Sequence, residues 1–134
     1  PLKYDIIYFV HSIHMMDIEH SVRSALNLLA SGGHAKVLIA IQSRTGVPAL
    51  YETVTGKLWP YRTSEVVLDQ LDSMKVAHRV QPLDCFVDTD HAHVKALCDF
   101  MFFCDTTGVQ DAIQRLVPGP GFPEEMLIIE CEHA

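Results

Sequence analysis

The sequence has no Cys-x-x-Cys pair, no glycine-rich turn leading from a strand into a helix, and a shortage of basic residues. It also has no apolar run near the ~20 residues of a membrane span. Each absence excludes something. Ten Lys and Arg stand against 17 Asp and Glu, a formal net charge of -7. A general nucleic-acid binder needs a basic face, so that class is set aside, as is a membrane partner. The four cysteines, Cys85, Cys98, Cys104 and Cys131, have no zinc-ligand spacing. They read as buried free thiols of a reducing compartment. No basic segment followed by an apolar stretch and a small-residue cleavage site opens the chain, so a cytoplasmic location is expected. The chain also begins at Pro1 without an initiator Met.

What is present is apolar and ordered. Hydrophobic residues make up 49% of the 134 and charged ones 20%, the balance of a globular chain with a core. The length suits one domain. Ile6 to Val10 form a continuous apolar run of strand length, and so do Ala35 to Ile41. Such runs predict strands buried on both faces. Between them Ile18, Val22, Ala25 and Leu29 recur at helical spacing, with Asp17 as N-cap and Ser31-Gly32-Gly33 as the stop. Strand, helix, strand predicts a parallel βαβ unit.

Residues 43–61 read as irregular, punctuated by Gly46, Pro48, Gly56 and Pro60, with one short helix over Leu50–Val54. Thr63 or Ser64 caps a helix carrying Val67, Leu68, Leu71 and Met74, and a strand follows over Ala77–Val80. Val94, Leu97, Cys98 and Met101 mark another helix. Thr107 caps a further one with Val109, Ala112, Ile113 and Leu116. Pro118 to Gly121 breaks the chain before a last strand over Met126–Ile129. The predicted order is β-α-β, loop, α-β, two helices, β. No repeat or low-complexity segment interrupts it.

A nucleotide-binding doubly wound sheet starts with a strand and a glycine-rich turn at a helix N-terminus. Gly32-Gly33 ends a helix instead, and Gly119 and Gly121 alternate with prolines, which have no N–H to donate. The order therefore fits the second half of an α/β domain.

Asp5-Ile6-Ile7 opening the first strand, Leu28-Leu29-Ala30-Ser31-Gly32-Gly33 ending its helix and AKVLIAIQS beyond resemble the fourth to fifth strands of class I S-adenosylmethionine-dependent methyltransferases. Further along, TSEVVLDQLDSM, KVAHRVQPLDCFVDTD, KALCDFMFFCD and MLIIECE follow in the order found in the C-terminal half of the histamine N-methyltransferase type. The resemblance covers nearly the whole chain, least well over residues 43–61. It implies a Rossmann-like sheet whose N-terminal cofactor-binding half is absent, consistent with the missing Met. It further implies S-adenosyl-L-methionine as cofactor, a small-molecule amine as substrate, the missing half of the domain as partner, and otherwise a monomer.

By the same resemblance, Val10 lies against the cofactor and His11 stands at a substrate-binding Gln position. His14 and Met15 replace a pair of aromatic residues, Tyr51 and Val47 fall on pocket tryptophans, and Phe122 or Glu124 occupies a substrate-binding Asn position. From chemistry alone, an imidazole at His11 can accept a proton from an amine, and a carboxylate at Glu124 can pair with an ammonium. His91/His93 and His11/His14 are too sparse for a metal site. Two other classes compete. A tautomerase would use the Pro1 amine as a base. A non-catalytic interaction protein would use the half-sheet's open edge for pairing.

Overall fold

The structure is a computed structural model that describes residues 2–88, 107–117 and 119–133. Its elements are β1 (Ile6–Val10), a short 3-10 turn (Ile13–Met15), α1 (Ile18–Leu28), β2 (Lys36–Gln42), α2 (Val47–Thr55), α3 (Ser64–Ser73), β3 (His78–Asp88), α4 (Thr107–Leu116) and β4 (Gly121–Glu132). The four strands form one mixed sheet in the order β1-β2-β4-β3. By contacts the chain divides into two compact units. The first is Pro1–Ser43, Tyr61–Leu83 and Met126–Ala134; the second is Arg44–Pro60 and Asp84–Glu125.

The first unit is built on the βαβ motif. β1 and β2 run parallel in the register Ile6↔Lys36 to Val10↔Ala40. A parallel pair needs a crossover, and α1 supplies it. Asp17 caps α1 by accepting the His20 N–H at 2.7 Å. The helix buries Ile18, Val22 and Ala25, the face its periodicity marks. β4 lies antiparallel to β2, from Lys36↔Glu132 to Gln42↔Met126.

Period-two geometry then sorts the strands into two faces. Val37, Ile39 and Ile41 of β2 share one face with Ile129 and Cys131 of β4, and all are fully buried. α1 adds Val22 and α3 adds Val67 and Leu71 to the same core, with Ile7, Phe9, Leu68 and Leu127 packed around it. Each such side chain contributes about 1.5–3 kcal/mol of transfer free energy. Burial also holds the Cys131 thiol neutral, its pKa pushed up to about 11.

The other face is different. There Ile6, Tyr8 and Val10 of β1 are 50%, 70% and 57% exposed. Beyond them Lys36 pairs with Glu130 at 2.6 Å, and Arg79 reaches both Glu130 at 3.0 Å and Glu132 at 2.7 Å. The Lys36 hydrogen bond, then the nearby cationic charges, hold Glu130 below the usual carboxylate range.

The second unit has a smaller core. Val47 of α2 and Ile113 of α4 are buried, with Leu50, Tyr51, Val54, Trp59, Val87 and Phe122 around them. Gly121 meets this unit closely: a Cβ there would strike the Val87 carbonyl oxygen and sit 2.5 Å from the Phe86 ring.

Several expectations change. β1 and β2 are not buried on both faces. β1 is an edge strand whose even-numbered side chains face outward, and β2 is fully buried only on its odd-numbered side. Residues 47–55 are helical where the sequence read mostly loop, because Gly46, Pro48 and Gly56 mark the two ends of a helix. Thr63, the N-cap of α3, makes no side-chain capping bond. β3 runs through Pro82 to Asp88, eight residues past the predicted end, since an edge strand tolerates a proline. β4 starts at Gly121, well before the predicted Met126. The helix expected around Val94–Met101 lies outside the described residues, as do Cys98, Cys104, His91, His93 and Pro1. Cys85 is half-buried rather than buried. Among the described residues no helix is long and apolar enough to cross a membrane.

The two faces predict different costs. Ile39→Ala should lose about 2–5 kcal/mol of stability in urea unfolding of the chain. Tyr8→Ser on the outward face should change it by less than about 0.5 kcal/mol.

Candidate functional site at the carboxyl ends of the parallel strands

Open α/β sheets bind ligands outside the carboxyl ends of their strands. In the first unit those ends are Val10-His11-Ser12 after β1 and Gln42-Ser43 at the end of β2, brought side by side by the parallel register. Val10 ends β1 with its apolar side chain more than half exposed. His11 continues the pairing through its backbone, donating its N–H to the Ala40 carbonyl at 3.1 Å. It then leaves the strand with φ at 48°, in the left-handed region. For a residue with a Cβ this conformation costs of order 1–2 kcal/mol, and such residues concentrate at functional sites. The His11 ring places Nδ1 3.0 Å from Oε1 of Gln42, whose side chain is buried. Ser43 beside it is also buried.

The 3-10 turn follows. Ile13 is fully buried and anchors it. Met15 is exposed. The guanidinium of Arg62 clasps the turn by donating to the carbonyls of Met16 at 2.6 Å and His14 at 3.4 Å. The His14 ring stands edge-on to Tyr61, with centroids 5.3 Å apart. Its Nδ1 is buried and has no hydrogen-bond partner among the described residues. Desolvation, and secondarily the neighbouring His11, lower the His14 pKa below its ordinary value. The neutral ring is thus the favoured form. Its contribution to folding is present above the unfolded pKa and is lost as pH falls through the lowered folded one.

The site residues expected by resemblance therefore divide. Val10, His11, His14 and Met15 belong to the first unit and cluster at the end of β1. Val47, Tyr51, Phe122 and Glu124 belong to the second. There Val47 is core, and the Tyr51 ring stands edge-on to Trp59 at 5.3 Å. Phe122 is half-buried in the same cluster. Glu124 takes a backbone hydrogen bond from Val47 in the first turn of α2. It also lies against Gly46, whose φ is 73° and where an added Cβ would come within 2.9 Å of the Glu124 side chain. Its carboxylate is thus spent at the amino end of α2, where negative charge is favoured. Burial still dominates and raises its pKa. Gln42 and Arg62 were not singled out from sequence. The available signal for Gln42 was its place as the first polar residue at the carboxyl end of an apolar strand. For Arg62, whose partners are carbonyls 46 and 48 residues away, no sequence signal exists. Among the described residues no cluster of three or more His, Cys, Asp or Glu is placed to hold a metal ion.

No family model and no curated protein matches the sequence. A solved structure does match the fold. It is a crystal structure from Bacillus halodurans C-125 of a protein described as a "putative methyltransferase", with a TM-score of 0.51 and 11% identity. The match covers 98% of this chain and 65% of the other. At that identity the likeness concerns fold, and the chain has a methyltransferase-like α/β fold. It spans about 65% of the length of the protein it matches.

The raised pKa of Glu124 gives a signed prediction. Folding favours the protonated acid, so its contribution is fully present below the unfolded pKa and is lost as pH rises through the folded one. Gln keeps the acceptor for the Val47 N–H and carries no charge. Glu124→Gln should therefore melt at a higher temperature than the parent chain at neutral pH, and the gap should close on acidification. A gap that widens in acid contradicts this placement of Glu124.

Proposed function

We propose that the chain is the C-terminal part of an S-adenosylmethionine-dependent methyltransferase of the histamine N-methyltransferase type, acting on a small-molecule amine. The observation that carries the reading is His11. An imidazole is held in a strained backbone conformation at the paired carboxyl ends of two parallel strands, in a fold similar to that of a protein described as a "putative methyltransferase". An amine attacks only as the neutral base, and the product must shed a proton. An exposed imidazole at a strand end supplies an acceptor for it. His14, held neutral beside His11, adds no competing positive charge to a site for a cationic amine.

The residues present fit one wall of the cofactor. Val10 offers an exposed apolar side chain at the end of β1. The polar end of the cofactor finds no match in the described residues. The amino ends of α1 and α2 are already taken by the Asp17 and Glu124 carboxylates, which repel a ligand carboxylate. When bound, the cofactor supplies a methyl group already activated on a sulfonium. This chain's part is to orient the amine and receive its proton. On this reading, the rest of the domain continues the sheet beyond β1 and supplies the polar contacts. The exposed Ile6, Tyr8 and Val10 support it, because contiguous apolar surface beside an unpaired strand edge marks a surface meant to be covered. The same exposure is the observation that favours the second reading, a non-catalytic interaction module that uses this face for a protein partner.

The test is a methyl-transfer assay on the full-length protein with His11→Asn, which tolerates the left-handed backbone but is no base. The expected result is a loss in kcat of roughly 100-fold or more. Unchanged kcat and KM overturn the assignment of His11, and no methyl transfer by the parent protein to any small amine favours the interaction module.

A further inference from the structure

We infer that Gln42 is a positioning residue: its side-chain oxygen holds the Nδ1–H of His11 and leaves Nε2 as the lone-pair face that meets the substrate. The reaction assigned to this face rests on the methyl-transfer reading above, whereas the geometry stands without it.

The parallel register brings the two residues together. β1 and β2 are paired through Val10↔Ala40, and the His11 N–H extends the ladder by one bond to Ala40. Gln42 stands two residues past Ala40 on the neighbouring strand. Leaving the strand at φ 48°, His11 carries its ring to the end of β2, with Nδ1 3.0 Å from Gln42 Oε1. A carbonyl oxygen only accepts, so Nδ1 must carry the hydrogen in this arrangement, and neutral Nε2 then carries the lone pair. His11 is itself exposed, and its Nδ1 contact is to a Gln42 side chain that is buried.

The consequence is a substrate rule. An unprotonated Nε2 accepts a hydrogen and donates none. The nucleophile it serves must therefore carry an N–H or O–H, as a primary or secondary amine or a hydroxyl does. When such a nucleophile is methylated, its lone pair would form the new bond to carbon as the methyl–sulfur bond of the sulfonium breaks, that bond's electron pair leaving on sulfur as a neutral thioether. The proton it loses goes to Nε2, giving an imidazolium whose Nδ1–H the Gln42 oxygen continues to hold. A nucleophile with no hydrogen to give, such as a thioether, gains nothing from this site. The opposite orientation of the Gln42 amide, with its NH₂ toward the ring, reverses every role, so the tautomer itself is the decisive observable.

Nitrogen NMR of the full chain, recorded about one to two pH units above the ordinary histidine range, reads it directly. The His11 signals are assigned by their loss in His11→Asn. The expected spectrum has Nε2 unprotonated and Nδ1 protonated. Gln42→Met, similar in volume and without the acceptor, should shift the population toward Nε2–H, which free imidazole favours in water. Gln42→Glu should retain Nδ1–H. A parent spectrum dominated by Nε2–H, or a tautomer unmoved in Gln42→Met, overturns the inference. If Gln42→Met does not fold, the parent and Gln42→Glu spectra still decide it. In the full-length protein, Gln42→Met should lower kcat by roughly tenfold or more with KM nearly constant, and Gln42→Glu should recover most of it. Undiminished kcat in Gln42→Met overturns the positioning role. A parent protein with no methyl transfer at all overturns the proposed function instead, and the tautomer then decides the geometry alone.

Discussion

The parallel pairing of β1 with β2 is the constraint on which the rest of the first unit depends. Two strands that run the same way cannot be joined by a hairpin, so the chain must cross over, and α1 is that crossover. The crossover buries the helix on one face of the sheet and fixes which side chains become core: Val37, Ile39 and Ile41, not their neighbours. It also brings the carboxyl ends of both strands to the same end of the sheet, so that His11 and Gln42 meet although 31 residues separate them. An antiparallel pair would have put the two ends at opposite sides of the sheet and built no site there.

The same pairing uses only one side of β1. Its odd-numbered residues turn their backbone groups toward β2, as the Asp5 carbonyl and the His11 N–H show by bonding Lys36 and Ala40. By the period of a strand, the even-numbered residues turn theirs the other way. The segment Leu28–Ala30 meets that outer edge at Tyr4. The side chains of Ile6, Tyr8 and Val10 are the exposed ones. The open backbone edge lies in the plane of the sheet and the bare apolar side chains stand off its face, so two different surfaces of β1 are left uncovered among the described residues.

How much of this was legible in the sequence depended on which physical signal each part carries. The βαβ unit was legible because hydrophobic period and capping agree: Asp17 does cap α1, and Ile18, Val22 and Ala25 do face the core. An apolar run says less about faces. Ile6–Val10 has no polar residue to show which side is wet, so its exposed side was invisible. The helix over Val47–Thr55 was mostly missed because glycine and proline mark both loops and helix ends, and only context separates the two. In β3 and β4, Pro82 and Pro123 masked extended backbone that edge position and sheet pairing allow. At the site, His11 could be found from its place after a strand. Its partnership with Gln42 could not, because the left-handed turn that makes it possible falls on a histidine rather than a glycine. Glu124 was legible as a charge but not as the group that holds the amino end of α2.

The His11 site exists only if β1 is a parallel edge strand beside a central β2. Amide hydrogen exchange on the 134-residue chain, read residue by residue, measures this most directly. Exchange should be slow throughout β2 and alternate in β1, with Ile7, Phe9 and His11 protected and Ile6, Tyr8 and Val10 exchanging freely. Uniformly fast exchange across β1 would contradict the parallel pairing that builds the His11 site. Uniformly slow exchange would contradict the open edge.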